Sequence, residues 1–175
     1  MTRGSDPLAD ATALIPRVYA YVAYRLGDGA EAEDVVSATF ERAVRYRRSY
    51  DPKRGTPVAW LIGIAKHCIN DAVAARSRTV TLDELPEPPA DLDVEQETVR
   101  RLVLGAAIAH LGERDQELLA LRFGAGMRTR EIADLVGAKT NAVDVAIHRA
   151  LARLRHELER DEAPELQLDT VSDAR

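Results

Sequence analysis

RFGAGMRTREIADLVGAKTNAVDVAIHRALARLR, running from Arg122 to Arg155, is the stretch from which the rest of the chain can be read. Ile132, Ala133 and Leu135 give a short helix an apolar face. Gly137 then supplies a residue able to adopt the positive φ that stops a helix and turns the chain sharply. Beyond a polar turn, Val143, Ile147, Leu151 and Leu154 recur at helical spacing along a second, longer helix. This is a helix-turn-helix pattern, whose second helix commonly lies in the DNA major groove. At 100° per residue, Asn141, Val145, His148, Arg149 and Ala152 fall on the opposite, outward face. Asn141 and Arg149 carry the donors that base edges and phosphates require. Seven bases (Arg122, Arg128, Arg130, Lys139, Arg149, Arg153, Arg155) face only three acids (Glu131, Asp134, Asp144), so the segment is locally basic. The plain alternative is a packed helical hairpin with a solvated charged face. DNA binding is favoured because the glycine spacing and the charge bias agree.

The 175-residue chain has room for one domain or two small ones, each near the lower size limit for its own core. Much Ala, Leu, Val and Arg, few aromatics and little β-branched alternation predict an all-α protein. No apolar run approaches membrane-spanning length and the first ten residues, MTRGSDPLAD, are too polar for a secretory signal, so a cytoplasmic protein without membrane insertion is expected. Cys68 is the single cysteine and reads as a buried reduced thiol. The net charge of −5 is unevenly placed. Seven acids and no base lie between Asp83 and Glu97, and seven more acids lie from Glu157 onward; the remainder is basic.

A first helix is expected over Leu8–Leu26, with Leu14, Ile15, Val18, Tyr19 and Val22 on one face and Pro16 marking a kink or a later start. A second, Glu31–Arg48, buries Val35, Val36, Phe40, Ala43 and Val44, with acids in its first turn and bases in its last. Thr56-Pro57 reads as an N-cap followed by Pro at the first helical position. The third helix then runs to about Ala75, with Trp60, Leu61, Ile64, Ala65, Cys68 and Ile69 mostly buried. Pro86, Pro88 and Pro89 inside the acidic stretch predict a flexible linker. The boundaries expected are 8–78 for the first helical domain, 79–97 for the linker, 98–160 for the helix-turn-helix domain and 161–175 for a disordered acidic tail. The second domain opens on an amphipathic helix carrying Leu102, Ile108 and Leu111.

With both halves in view, the chain resembles the extracytoplasmic-function (ECF) group of bacterial sigma-70 sigma factors. In the first module the resemblance rests on AEDVVSATFERA (Ala32–Ala43) and AWLIGIAKHCIND (Ala59–Asp71). In the second it rests on LGERDQELLALRF (Leu111–Phe123), REIADLVG (Arg130–Gly137) and AVDVAIHRALARLR (Ala142–Arg155). It implies a promoter-specificity subunit with two helical domains, no catalysis of its own, and no cofactor or metal. It further implies docking of the first module on core RNA polymerase through Glu33, Asp34, Val35 and Phe40. The same module would open the −10 element and capture a flipped base with Tyr50, Asp51, Lys53, Arg54, Lys66, His67, Asn70, Arg76 and Arg78. In the second module, the resemblance assigns the −35 element to Arg122, Arg128, Arg130, Lys139, Asn141, Val145, His148 and Arg149. The structural alternatives are that Val35 and Phe40 are core, that Glu33 and Asp34 only match the helix dipole, and that the loop after Ser49 is merely charged and exposed. Ser37-Ala38, His67 and Asp144-Val145-Ala146 depart from the residues usual in the family, and Asp71–Ala75 lacks its dense basic run. Asp144 is expected to favour the helix N-terminus beside an Asn141 cap. The resemblance implies that the acidic linker imitates a phosphate chain in the polymerase's RNA channel; the alternative is that its charges only keep a flexible connector extended and soluble.

The competing function is a sigma mimic, an interaction protein that sequesters an anti-sigma factor without recognising promoters. An anti-sigma factor is accordingly a third candidate partner beside core polymerase and promoter DNA. A stand-alone repressor or activator would leave the first module's motifs unexplained. An enzyme is least supported: His67, His110, His148 and His156 make no metal-ligand spacing on one face, and no Gly-rich phosphate loop follows a strand.

Overall fold

The computed structural model describes residues 6–79 and 92–162, with side chains described over 6–77 and 99–160. Among the described residues it consists of seven α-helices and no strand. They are α1 (Ala11–Leu26), α2 (Ala30–Tyr46), α3 (Pro57–Thr79), α4 (Leu92–Ala109), α5 (Glu113–Leu119), α6 (Thr129–Val136) and α7 (Thr140–Glu162). A 3-10 turn at Arg47–Ser49 follows α2, and a π-helical turn at Ala120–Gly124 continues α5.

The first module is α1, α2 and α3 packed pairwise. α1 begins at Ala11 rather than Leu8, because the Asp10 carboxylate accepts from the Ala13 N–H (3.3 Å) and caps it there. The helix runs unbroken through Pro16 and ends at Gly27, whose φ of 90° few other residues adopt. α3 starts as expected, with the Thr56 hydroxyl accepting from the Ala59 N–H (3.3 Å), but it reaches Thr79, four residues past the expected end. Val18, Val22, Val36, Leu61, Ile62 and Ala65 fill the centre of this bundle. Thr39, buried among them, donates its hydroxyl to the Val35 carbonyl (2.7 Å) and leaves no unpaired polar group.

Several residues expected on apolar faces are not buried. Val44 is 56% exposed and Ile15 is also exposed, since each lies about a quarter-turn off its helix's buried row. In α7 the buried row is Val143, Ile147 and Ala150, with Leu154 half-buried; Leu151 stands beside that row and is exposed. α4 packs on α7, and its Ala107 and Ile108 are buried, while Leu102 remains 63% exposed. Helix α4 also begins at Leu92, so residues 92–97 of the stretch expected to be linker are helical. Residues 80–91, which carry the rest of that stretch, and the tail from residue 163 lie outside the described residues.

α3 corrects a further expectation. Pro57–Ser77 is long and apolar enough to cross a membrane by length and composition, with a mean hydropathy of 1.2. Its Val58, Leu61, Ile62, Ala65, Cys68 and Ile69 are buried against α1 and α2, which identifies it as the core helix of the first module.

The second module, α4 to α7, does not stand apart from the first. Val18, Tyr21 and Val22 of α1 belong to the same buried cluster as Leu118, Leu121, Met127 and Ile132. α1 packs directly on the π-helical turn. At Gly124 the approach is so close that an added Cβ would lie 2.9 Å from the Ala20 carbonyl oxygen and 3.0 Å from the Tyr21 Cα. Polar contacts surround this seam. Arg17 donates to the Ala125 carbonyl (Nε, 2.7 Å) and the Gly126 carbonyl (Nη2, 3.2 Å). The Tyr21 hydroxyl donates to the Glu117 carboxylate at 3.0 Å, and Lys66 Nζ pairs with the same group at 2.9 Å.

Burial, and then the adjacent Glu117 charge, push the Tyr21 phenol well above its ordinary value of 10.0. A raised folded-state value means stability that is present below 10.0 and lost as pH climbs through the folded value. Tyr21→Phe, which removes the donor to a largely buried carboxylate, is expected to cost about 1–3 kcal/mol at neutral pH. In urea denaturation, the gap between parent and variant should narrow as pH rises above 10.0; a gap constant with pH would contradict this account.

Candidate nucleic-acid interface

The helix-turn-helix forms as its sequence dictates. Glu131 accepts from the Arg128 backbone N–H (2.8 Å) and closes the first turn of α6. Gly137, at φ 67° and ψ 36°, is left-handed, and the Ala138 N–H returns to the Ala133 carbonyl (2.9 Å). Ile132 and Ala133 of α6 and Val143 and Ile147 of α7 are buried together, which fixes the angle at which α7 projects. Asn141, Val145, His148 and Arg149 are all exposed on the outer face of α7. Val145, at 49% exposed, is the apolar member of an otherwise polar row.

The neighbouring bases divide into two groups. Arg128, Arg130 and Lys139 are exposed at the α6 and α7 ends. Arg122 is exposed but donates Nη1 to the Met127 carbonyl (3.0 Å), so it also braces the turn into α6. Arg153 makes a two-pronged pair with Asp115, 2.6 and 2.9 Å, binding α7 to α5, and that hydrogen bond raises its already high pKa. α7 begins at Thr140, with the Val143 N–H bonded to the Lys139 carbonyl. Asn141 therefore lies inside the first turn and does not cap it. Asp144, the fifth residue of α7, lies past its first turn and does not match the helix N-terminus as expected.

On the first module, residues 49–56 form a loop against the start of α3. Tyr50 is half-buried, its hydroxyl donates to the Gly55 carbonyl (3.0 Å), and its ring meets Trp60 edge-on with centroids 5.6 Å apart. Burial, then the Asp51 charge, raise the Tyr50 phenol pKa. Asp51 shapes the loop by accepting from the Lys53 N–H (3.0 Å), while Lys53 and Arg54 point to solvent. Trp60, expected to be core, is only partly buried and shares a cavity of about 440 Å³ with Tyr50 and Arg54. The far wall of that cavity is α6, through Glu131, Asp134 and Leu135. His67 and Asn70 are exposed on α3. Lys66 is taken up by Glu117, and Arg76 lies 3.7 Å from Glu31. Arg78 is helical, and its side chain lies outside the described residues.

The α2 face holds Glu33 and Asp34 exposed. Val35, only 5% exposed, lies at the floor of a groove of about 430 Å³ between α2 and α3, and Phe40 is half-buried against the core. Arg42 spans the groove to Asp71 (2.7 Å). Sequence reasoning passed over Arg17, Tyr21, Arg42 and Glu117. Each acts through a partner on a distant helix, and no spacing along the chain signals that.

A three-helix body is coupled to a helix-turn-helix whose second helix has an exposed outer face, the arrangement of a helix-turn-helix DNA-binding protein. Comparison with known proteins narrows the class. Residues 11–79 match the family model for sigma-70 region 2, and residues 101–154 match that for sigma-70 region 4. The ECF RNA polymerase sigma factor SigD of Mycobacterium tuberculosis is 36% identical over 160 residues, covering 82% of this chain and 72% of SigD. The RNA polymerase sigma factor CarQ of Myxococcus xanthus is 33% identical over 148 residues, covering 80% and 82%. The sigma factor RpoE of Bartonella quintana, crystallised with the anti-sigma factor NepR, superposes with a TM-score of 0.65 at 20% identity, over 86% of this chain and 94% of that one. CnrH, solved with the cytosolic domain of CnrY, gives 0.58 at 24% identity, over 86% and 83%. The chain belongs to the sigma-70 family and, within it, to the ECF sigma factors: it is an RNA polymerase sigma factor acting in transcription initiation.

The left-handed turn between α6 and α7 is open to a direct check. A Cβ at Gly137 would meet nothing within 4 Å, so Gly137→Ala carries the backbone cost alone. That cost is about 1–2 kcal/mol. It should lower the denaturation midpoint by the corresponding amount; an unchanged midpoint would show that the φ of this residue is not a constraint.

Proposed function

We propose that the outer face of α7 reads the −35 element as duplex and that the loop 49–56 with the exposed side of α3 captures the −10 non-template strand. The carrying observation is the exposed row Asn141, Val145, His148 and Arg149, projected from a helix whose opposite row is buried. Arg149 and Asn141 supply donors for base edges, Val145 a methyl-sized contact for thymine, and Arg128, Arg130 and Lys139 hold phosphates. On the first module Tyr50 and Trp60 offer ring faces beside Lys53 and Arg54, the combination that binds unstacked bases and their backbone. His67 and Asn70 extend that surface along α3. Asp51 serves by holding the loop rather than by meeting DNA, in keeping with its bond to the Lys53 N–H.

Glu33 and Asp34 are the solvent-facing carboxylates available to core polymerase, and Val35 supports them from the groove floor. An anti-sigma factor is a further partner under this reading, supported by the likeness to RpoE, which was crystallised with one. Cytoplasmic action and the absence of catalysis follow from a role on polymerase and DNA, polymerase performing the chemistry.

Transcription reconstituted with core polymerase tests the whole. Promoter-dependent RNA is expected; core binding without DNA opening would point instead to a mimic. On promoter DNA, Arg149→Ala should weaken binding by about 1–3 kcal/mol and relax preference at one base pair. Equal binding by variant and parent would remove Arg149 from the −35 contacts.

A further inference from the structure

Helix α4 is apolar on two sides. Ala107 and Ile108 are buried, whereas Val99, Leu102, Val103 and Ala106 are all exposed, Val99 by 51% and Leu102 by 63%. At 100° per residue the four exposed residues share an arc of about 100°, centred about 140° round the helix from the buried pair. Their spacing, i, i+3, i+4 and i+7, is that of a helix face made to be covered. Single exposed apolar residues need no explanation, but a contiguous row does.

We propose that the segment 163–175 of this same chain seats on the row, with Leu166 and Leu168 as its anchors. Position is the first argument. His110, directly after α4, lies 3.8 Å from Glu157 near the end of α7, so the segment leaves α7 beside the end of α4 that carries Ala106. Pro164 forbids α7 from running on and turns the chain off the helix axis. At about 3.4 Å per residue, Leu168 reaches about 20 Å from Glu162. The row from Ala106 back to Val99 is only about 10 Å long.

Chemistry and size supply the rest. In an extended segment Leu166 and Leu168 point to one side about 7 Å apart, close to the rise of one helical turn that separates Leu102 from Ala106. Glu165, Asp169 and Asp173 accompany them, and α4 exposes Arg100 and Arg101 on the same turn as Val99 and Leu102, Arg101 standing 3.7 Å from Asp28. A second copy of the chain is the weaker occupant. A stable dimer buries at least about 1,200 Å² in total, well beyond what four side chains on two turns offer. A segment attached a few residues away meets the face at an effective concentration on the order of millimolar, so a small patch suffices.

Full-chain variants test this. Leu166→Asn with Leu168→Asn removes the anchors and leaves every helix residue in place. Hydrogen exchange over residues 99–106 is expected to quicken about fivefold or more, with exchange in α3 unchanged, because the seated segment resists local opening of α4. Leu102→Cys with Leu168→Cys, both away from the buried Cys68, is expected to form an intramolecular disulfide in the monomer under mild oxidation. Unchanged exchange in the anchor variant overturns the inference, as does failure of the monomer to cross-link. A disulfide-linked dimer gives the face to a second copy and overturns it too. So does quickened exchange in Leu82→Asn with Leu85→Asn but not in the anchor variant, which assigns the face to the segment before α4.

Discussion

Helix α1 is the element on which the rest depends, because it is apolar enough to be buried from two sides. Val18 and Val22 pack with Leu61 and Ile62 of α3, while Tyr21 sits in the same cluster as Leu121 and Met127 of the second module. The Gly124 backbone lies against Ala20, a contact that a larger residue would forbid. One short helix is thereby core to a three-helix bundle and a platform for a helix-turn-helix. Each module is small, and sharing a face lets each bury more apolar surface than it would alone.

Electrostatics runs against the simplest expectation for a DNA-binding protein. The chain is net acidic, yet its bases are exposed on the outer side of α6 and α7 and on the loop 49–56. Acids are spent in two ways. Some brace structure, as Asp115 does for Arg153, Asp71 for Arg42 and Glu131 for the start of α6. Others, Glu117 and Asp134, confront the first module's bases across the seam. Distribution rather than net charge decides what such a surface binds.

The departures from common family residues gain meaning in place. Asp144 lies past the first turn of α7 on its exposed surface, so the expected match of its carboxylate to the helix N-terminus is not made. Asp71 pairs with Arg42 across the α2–α3 groove. Arg76 is similarly turned toward Glu31.

Local patterns settled much of this protein. The helical spacing of Val143 and Ile147, the left-handed Gly137, the Thr56-Pro57 start and the two family motifs all follow from neighbours along the chain. Those features depend on hydrogen bonds and side-chain rows within one or two helical turns, which a linear string displays. Only the tertiary structure decided that Leu151 and Val44 face water, that Trp60 edges a cavity, and that residues 92–97 are helical. It alone revealed that Glu117 meets Tyr21, Arg25 and Lys66 at once. These outcomes rest on which helices meet and how closely. Such contacts join residues from 51 to 109 positions apart, as Lys66–Glu117 and Arg17–Gly126 do, and no periodicity encodes them.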